Sequence, residues 1–313
     1  MMLRDLLIKR LLQLLAVAWG VGTLTYILMR ALPGDMAYRI AASRYGIDGV
    51  DSNAAAMVRE ELGLDQSGWS AYWQWLGDLM QWNLGNSLVS GLPVVDTLWH
   101  MLGHSLLLAL TGMLIAALIA IPLGLASAYW GGWLNRLTLT LSTAMHALPV
   151  FVIGLLAVVL FALELAWLPV AGFGSAAHLV LPALTLALSL AAISNRVVHT
   201  EAQRVFSAPF FEFAQIKGLS PWQAFLRHGV RNISVPVVAF FGVQLITVIE
   251  GVVMIESLFS WPGIGHGLAH AIFARDIPLI QGAALTMGVL FVVLNTLVDL
   301  ACHALDPRAG DPA

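Results

Sequence analysis

Six long apolar stretches, separated by polar segments, dominate the chain. They lie at roughly 11–32, 100–130, 138–163, 179–198, 233–256 and 278–304. Each is close to the roughly 20 residues that an α-helix needs to cross the hydrocarbon core of a bilayer. Pro122, Pro149 and Pro182 lie inside these stretches, but membrane helices tolerate proline. We therefore predict an all-α integral membrane protein with six transmembrane helices.

The first stretch resembles a signal peptide, because Arg4, Lys9 and Arg10 precede it. It is longer than a usual signal peptide core, and no small-x-small cleavage site follows it. We interpret it as a first helix that is retained in the protein.

Composition supports a membrane protein. Hydrophobic residues make up 59% of the chain and charged residues 11%, whereas soluble proteins have about 25% charged residues. The formal net charge of -3 does not indicate nucleic acid as a partner. Cys302 is the only cysteine, which excludes an intrachain disulfide and a cysteine-rich metal site.

The distribution of charge predicts the orientation. With a cytoplasmic N-terminus, the inner segments hold most of the basic residues: Arg4, Lys9, Arg10, Arg136, Arg196, Arg204, Lys217, Arg227, Arg231 and Arg308. Short cytoplasmic loops of membrane proteins are enriched in Lys and Arg. We therefore expect both termini to be cytoplasmic, with lipid around the helices.

Two polar segments interrupt the apolar pattern. The segment 33–99 lies outside in this topology and contains two predicted helices, 54–64 and a tryptophan-rich 69–82. It is either a helical cap lying on the membrane, where tryptophan is common, or a docking site for a soluble partner. The resulting regions are an N-terminus with first helix at 1–32, the outer loop at 33–99, a core at 100–304 and a cytoplasmic tail at 305–313.

The second polar segment, 198–232, lies inside the core region and faces the cytoplasm. It is basic, and Ser207, Pro209, Gly218, Ser220 and Pro221 divide it into short predicted helices. A structured cytoplasmic loop of this length indicates a function, because helix connections in bundles are usually short.

The chain shows no catalytic motif. A nucleotide-binding P-loop needs a Lys between Gly and Ser or Thr, and the only lysines, Lys9 and Lys217, lie in other contexts. No HExxH motif is present. The pairs His100/His104 and His266/His270 have helical spacing but no neighbouring carboxylate in the pattern, so we predict no metal site, no cofactor and no catalytic residue on this chain.

Several ionisable or polar residues fall within or at the ends of the apolar stretches, where burying a charge is costly. They are His146, Asn195, Glu250, Glu256 and Asp299. Each either forms hydrogen bonds between helices, reaches the interface or contacts substrate. Glu256 lies near an outer helix end and is expected to reach water.

Residues 212–232 read EFAQIKGLSPWQAFLRHGVRN. This sequence resembles the cytoplasmic EAA loop of bacterial ATP-binding-cassette importer permeases. Glu212, Ala214 and Gly218 match the signature in type and spacing, whereas Phe213 replaces the usual small residue.

Other motifs extend the resemblance over nearly the whole chain, specifically to the dipeptide, oligopeptide and nickel permease family. They are ALPGD at 31–35, ELGLD at 61–65, LGNS at 84–87, ESLFSWPGIG at 256–265, ARDIPLIQG at 274–282 and ALDPR at 304–308. Each motif alone is unspecific, but their order and spacing together are distinctive.

The resemblance implies a type I importer permease in a bacterial inner membrane. Such a chain pairs with a second, similar six-helix permease, usually a different one. Two cytoplasmic ATPase subunits bind ATP and magnesium and contact the EAA loops, and an extracytoplasmic binding protein delivers substrate. Transport then proceeds by alternating access.

The resemblance also assigns two groups of site residues. The ATPase-coupling group comprises Glu212, Ala214, Lys217, Gly218, Arg227, His228 and Arg231. The outer-motif group, expected at an outer gate, comprises Glu256, Trp261, Pro262, Gly263, Arg275 and Asp276.

Two other functions remain open from the residues alone. An ion-coupled secondary transporter would show inverted repeats and buried charge pairs, and a membrane enzyme would need a catalytic motif. Within the importer hypothesis, the substrate is nickel, a metal chelate or a di- or oligopeptide. Segments 167–184 and 271–281 resemble the nickel branch slightly more.

Overall fold

The computed structural model describes residues 2–31, 34–46, 50–61, 68–81 and 83–305. Helices form most of these ranges, and the only extended pairing within them is a single antiparallel bridge between Asn86 and Pro93. Residues 32–33 of the ALPGD motif, 62–65 of ELGLD and 306–313 of the tail lie outside the described residues.

Within the described residues, five helices are long and apolar enough to cross a membrane. The spans coincide with or overlap α1 (Met2–Ala31), α5 (Val94–Trp130), α8 (Ala177–Phe206), α11 (Val230–Gly251) and α14 (Ile277–Leu305). Two of these spans, α5 and α8, cover the whole helix. The fourth span, Pro221–Ile249, begins before α11. The first span covers Ile8–Leu28. The helices extend beyond several predicted limits, because polar residues continue a helix past the apolar stretch: α8 runs to Phe206 rather than ending near 198.

The third apolar stretch is not one straight helix. It forms α6 (Gly132–Ala147) and α7 (Val150–Ala157), and a π-helical turn, Val158–Glu164, extends α7. The two parts are bent by 100°. Leu148 is extended, with φ -88° and ψ 130°, because the residue before proline is driven out of the α region. The prediction that Pro149 lies within a continuous helix was therefore wrong.

The chain divides into two compact units. Unit one comprises residues 1–105 and 262–292. Besides α1 and the start of α5, it contains α2 (Met36–Tyr45), α3 (Ser52–Glu61), α4 (Gly68–Met80) and α13 (Ile264–Ala274). Helices α3 and α4 confirm the two predicted in the outer loop, within a few residues. One core joins α2 and α3, and another joins the start of α5 to α13 and α14.

Unit two comprises residues 106–261 and 293–313. It contains most of α5, α6 to α8 and α11, together with α9 (Pro209–Ile216), α10 (Pro221–Ala224) and α12 (Val253–Leu258). A hydrophobic core links α5, α7, α8 and α12. A second core links the ends of α5 and α8 to α9, α10 and α11.

Small residues bring α5 and α8 close together. A Cβ at Gly112 would lie 2.8 Å from the Leu186 side chain, and one at Gly124 would lie 2.7 Å from that of Val198. Contacts advance along both helices in the same direction, so α5 and α8 pack in parallel. Close approach through small residues is a common way for membrane helices to associate.

Candidate coupling segment and outer-loop cluster

The coupling segment, residues 207–231, packs on a hydrophobic core of unit two. On α9, Phe211 and Ala214 are buried against side chains of α8 and α11, among them Val198 and Val237. Ala214, the second alanine of the EAA-like signature, thus faces the protein. Its small side chain lets α9 lie close to the helices beneath it.

The opposite face of α9 is exposed. Glu212, Phe213, Ile216 and Lys217 lie on this side of the helix, and all four are exposed. The Lys217 ammonium lies 4.6 Å from the centre of the Phe213 ring, a cation–π distance. Phe213, which departs from the usual small residue, therefore lies on the surface and not in the core.

A Schellman turn ends α9. Gly218 has a φ of +92° and its N–H donates to the Gln215 carbonyl at 2.9 Å, while the Leu219 N–H donates to the Ala214 carbonyl at 3.2 Å. These two bonds satisfy carbonyls that the end of a helix leaves free, and glycine is favoured at the left-handed position. The turn expected at Gly218 is confirmed. Among the described residues, no atom lies within 4 Å of a Cβ built there, so no close approach occurs in this part of the chain.

The segment then turns directly into the next membrane helix. The Ser220 side chain accepts from the Gln223 N–H at 3.3 Å, and the Gln223 side chain accepts from the Ser220 N–H at 3.1 Å. This capping box and Pro221 at the first helical position are strong helix-start signals. Helix α10 continues through a π-helical turn, Phe225–Gly229, into α11.

The basic residues of the coupling group lie on this last part. Arg227 and His228 are on the π-helical turn and Arg231 is in the first turn of α11, and all three are exposed. With Glu212 and Lys217, they give the segment a charged, mostly basic surface.

An apolar cavity of about 350 Å³ separates part of α5 from the coupling segment. Tyr129 and Trp130 line it from α5, and Trp222 and Phe225 line it from α10 and the turn that follows. The Trp222 and Phe225 rings stack with centroids 5.7 Å apart. Beside this cavity, residues of α5, α8 and α11 all contribute to the core on which the segment packs.

On unit one, three of the outer motifs meet in one place. Asp276 accepts hydrogen bonds from the Ser87 hydroxyl and, at 3.0 Å, from the Leu88 N–H. Arg275 donates to the Gly34 carbonyl at 3.2 Å. We call this group of Gly34, Ser87, Leu88, Arg275 and Asp276 the outer clasp. It joins ALPGD, LGNS and ARDIPLIQG, and the linear sequence carries no signal that pairs them.

Electrostatic contacts next to the outer clasp hold the outer helices. Arg44 donates to the Leu88 carbonyl at 2.7 Å and pairs with Glu61 at 2.8 Å. Asp35 caps α2 and pairs with Arg59 at 2.7 Å. Partial burial raises the pKa of Asp35, but hydrogen bonds from Arg59 and two backbone N–H groups outweigh it and hold the pKa below its usual value.

The six outer-motif residues are divided between the two units. Glu256 and Trp261 belong to unit two, whereas Pro262, Gly263, Arg275 and Asp276 belong to unit one. Trp261 is a core residue, and its ring packs against that of Phe173 in a T-shaped arrangement with the ring centroids 5.3 Å apart. Glu256 is fully buried, so the expectation that it reaches water was wrong.

Polar groups between the membrane helices mostly form hydrogen bonds. Asn195 donates to Ser142 at 3.1 Å. Ser194 donates to Gln244 at 2.8 Å, a pair that the sequence analysis missed although Gln244 is a rare polar residue in an apolar stretch. His146 and Asp299 are exposed, and the Glu250 side chain lies outside the described residues.

The histidines do not gather with other ligands. The centroids of the His266 and His270 rings lie 4.5 Å apart. Within the described residues, no group of three or more His, Cys, Asp or Glu side chains could hold a metal ion.

Comparison with known proteins decides the family. Residues 120–311 match the family described as the inner membrane component of binding-protein-dependent transport systems. The chain belongs to this family. It is an ATP-binding-cassette importer permease subunit of the peptide/nickel type, not itself an enzyme.

The permease is also similar over almost its full length to curated relatives. It is 34% identical over 301 residues to the glutathione transport system permease protein GsiC of Escherichia coli K12, covering 96% of this chain and 97% of the relative. The same protein from Salmonella paratyphi A is 34% identical, and that from Shigella flexneri serotype 5b is 33% identical, with the same coverage.

Proposed function

We propose that the exposed face of α9, with the turn at Gly218 and the basic residues that follow, docks on a cytoplasmic ATPase subunit. The observation that carries this proposal is the division of α9 into a buried side, Phe211 and Ala214, and an exposed side that includes Phe213 and Ile216. Exposed apolar side chains with charged neighbours are typical of protein interfaces. ATP and magnesium are bound by the partner and not by this chain.

The firm attachment of this segment supports a mechanical role. Its ends continue into α8 and α11, and its buried residues belong to a core that includes side chains of both helices. A movement of the docked ATPase is therefore passed to two membrane helices at once. The remaining partners in this proposal are a second, different six-helix permease, a second ATPase subunit and an extracytoplasmic binding protein.

The proposed substrate class is short peptides of the glutathione kind. The support is the 34% identity to glutathione permeases over 96% of the chain. Nickel or a metal chelate is the second candidate, favoured by the resemblance of residues 167–184 and 271–281 to the nickel branch. The permease lies in the bacterial inner membrane in this proposal, with both termini cytoplasmic, as the charge distribution favours.

The test of docking uses one exposed apolar side chain on each side of the membrane. Ile216 is 74% exposed on α9, and Met57 is 70% exposed on the polar outer helix α3. The tagged Ile216→Arg variant, isolated in mild detergent, should lose most of the ATPase that the unmodified permease retains. The Met57→Arg control should retain it. Equal retention by both variants would refute docking through this face.

The substrate is tested separately, in proteoliposomes that contain the assembled transporter and its binding protein. Uptake driven by ATP is measured with radiolabelled glutathione, a dipeptide and nickel ions. Glutathione or dipeptide uptake supports the proposal, whereas uptake of nickel alone would replace it with the second candidate. Uptake driven by an ion gradient without ATP would indicate a secondary transporter.

A further inference from the structure

Helix α4 lies directly against α1 near the C-terminal end of the first membrane span. The Tyr26 hydroxyl donates to the Gly68 carbonyl at 2.6 Å, and the hydroxyls of Thr23 and Tyr72 are 3.0 Å apart. A Cβ at Gly22 would lie 2.5 Å from the Trp75 ring. Glycine at this position therefore lets the indole of Trp75 rest on the backbone of α1.

These contacts show how far α4 extends along α1 from the end of the first membrane span. Gly68 is opposite Tyr26 and Trp75 is opposite Gly22, so α4 runs back along α1. Gly22 lies six residues inside the end of the span Ile8–Leu28, which is about 9 Å at 1.5 Å per helical residue. Interfacial helices bury their apolar face about 5–10 Å into the boundary between headgroups and acyl chains.

The side chains of α4 form three faces that fit such a position. Tyr72 and Trp75 face α1. About a quarter turn away, the helical spacing places an apolar face consisting of Trp69, Trp73, Leu76 and Met80. The side away from both carries polar residues, namely Ser70, Gln74 and Asp78.

The apolar face is open to the surroundings. Trp69 is 71% exposed, Trp73 is 53% exposed and Met80 is 75% exposed. On α1, Leu24, Ile27 and Leu28, within the span, are also exposed. Exposed apolar surface thus extends over α4 and the end of α1, at the depth where tryptophan is enriched in membrane proteins.

We infer that α4 is a membrane-interface anchor, with Trp69, Trp73 and Met80 inserted among the lipids of the outer leaflet. A soluble partner would dock on surface that is in water, whereas this face lies beside residues within the span. The anchor decides between the two sequence-based interpretations of the outer loop in favour of a helix lying on the membrane. It is independent of the proposed docking of the ATPase.

Spin-label accessibility measures the environment of each face. The assembled transporter is placed in nanodiscs of phosphatidylethanolamine and phosphatidylglycerol, with Cys302→Ser as background. A nitroxide is attached to Trp73→Cys or, as the matched control one residue further on the polar face, to Gln74→Cys. Collision rates are measured with molecular oxygen, which concentrates in lipid, and with a water-soluble nickel chelate.

The anchor predicts that the label at position 73 collides several-fold more with oxygen relative to the nickel chelate than the label at 74 does. Trp69→Cys and Ser70→Cys repeat the comparison one turn earlier, so a single misfolded variant cannot decide the result. Equal access of the nickel chelate to 73 and 74 would overturn the anchor in favour of water. Exclusion of both reagents from 69 and 73 would overturn it in favour of a protein partner.

Discussion

Gly218 determines how α9 ends and where the coupling segment turns toward α11. Its φ of +92° places it in the left-handed region, and its N–H and that of Leu219 bond the last carbonyls of α9. Leu219 then packs on the core that contains Ala214. The conformation of this one residue therefore sets the position of the exposed face of α9 relative to the basic residues that follow.

We predict that Gly218→Asn preserves coupling and that Gly218→Val impairs it. Asparagine tolerates the left-handed region, whereas this conformation costs other residues about 1–2 kcal/mol, and more for a β-branched one. The measurement is the amount of ATPase retained per permease, together with ATP-driven uptake. Valine should reduce both several-fold, and asparagine should leave both near the unmodified values.

The pair of variants separates two explanations for this glycine. The described part of the chain leaves open space around a Cβ at position 218, so crowding by these residues does not contribute. If asparagine and valine impair coupling equally, the partner ATPase must approach the backbone closely, and the explanation through φ is wrong. If neither has an effect, the turn is not required.

The turns and helix limits of the coupling segment could be predicted from the sequence because their signals are close together along the chain. Pro209, Gly218, Ser220 and Pro221 are local signals, and each lies at the helix end or start that it predicts. The outer clasp could not be predicted in this way. Its central bond joins Ser87 to Asp276, and a pairing over such a separation is decided by tertiary structure.

Burial was also beyond what the sequence could show. Trp261 and Glu256 lie in a motif that resembles an outer loop, yet both are buried in unit two. Removing a buried tryptophan side chain costs about 3–5 kcal/mol, so a defect in transport at this position would need to be separated from a loss of folding.

At the scale of helices, the apolar pattern predicted where the long apolar helices lie but not whether each helix is straight. Pro122 and Pro182 lie inside continuous helices, whereas the helix breaks at Pro149. All three are flanked by apolar residues, and proline removes one backbone bond in each case. Proline alone therefore does not decide whether a helix breaks, and the local sequence does not distinguish the three positions.

We predict that Gly124→Leu destabilises unit two by forcing α5 away from α8. A Cβ there would lie 2.7 Å from the Val198 side chain and 2.9 Å from the Asn195 carbonyl oxygen. Overpacking of this kind typically costs about 1–3 kcal/mol, and a backbone oxygen cannot move aside as a side chain end does. Thermal unfolding in detergent should show a Tm lowered by several degrees.

Gly103 provides the control on the same helix. It is exposed, and no atom of the residues that the structure describes lies within 4 Å of a Cβ built there. Gly103→Leu should therefore leave the Tm unchanged or raise it, because leucine is the better helix former by somewhat under 1 kcal/mol. Equal destabilisation by both variants would show that helix propensity or insertion, and not the contact with α8, is responsible.

At the scale of the whole molecule, the parallel packing of α5 and α8 constrains the topology. When two helices are parallel, the chain that connects the end of the first to the start of the second must return to the level at which the first began. That stretch, residues 131–176, contains the bent pair α6 and α7. The bent pair α6 and α7 provides this return. With the bent pair counted as one span, the described residues contain up to six spans, and an even number of crossings would place both termini on one side, as the basic residues predict.

This topology predicts opposite accessibility for Ser175, just before α8, and Gln215, on α9, both of which are exposed. Cysteines are placed singly at these positions in the Cys302→Ser background and treated with a membrane-impermeant maleimide. In right-side-out vesicles Ser175→Cys should react and Gln215→Cys should not, and inside-out vesicles should reverse the result. Met57→Cys, on the outer helix α3, serves as the reference for the outside.

Two results would contradict this topology. Reaction of both cysteines from the same side would mean that α8 does not cross the membrane between them. A reversed pattern would place the coupling segment outside, where no ATPase could reach it.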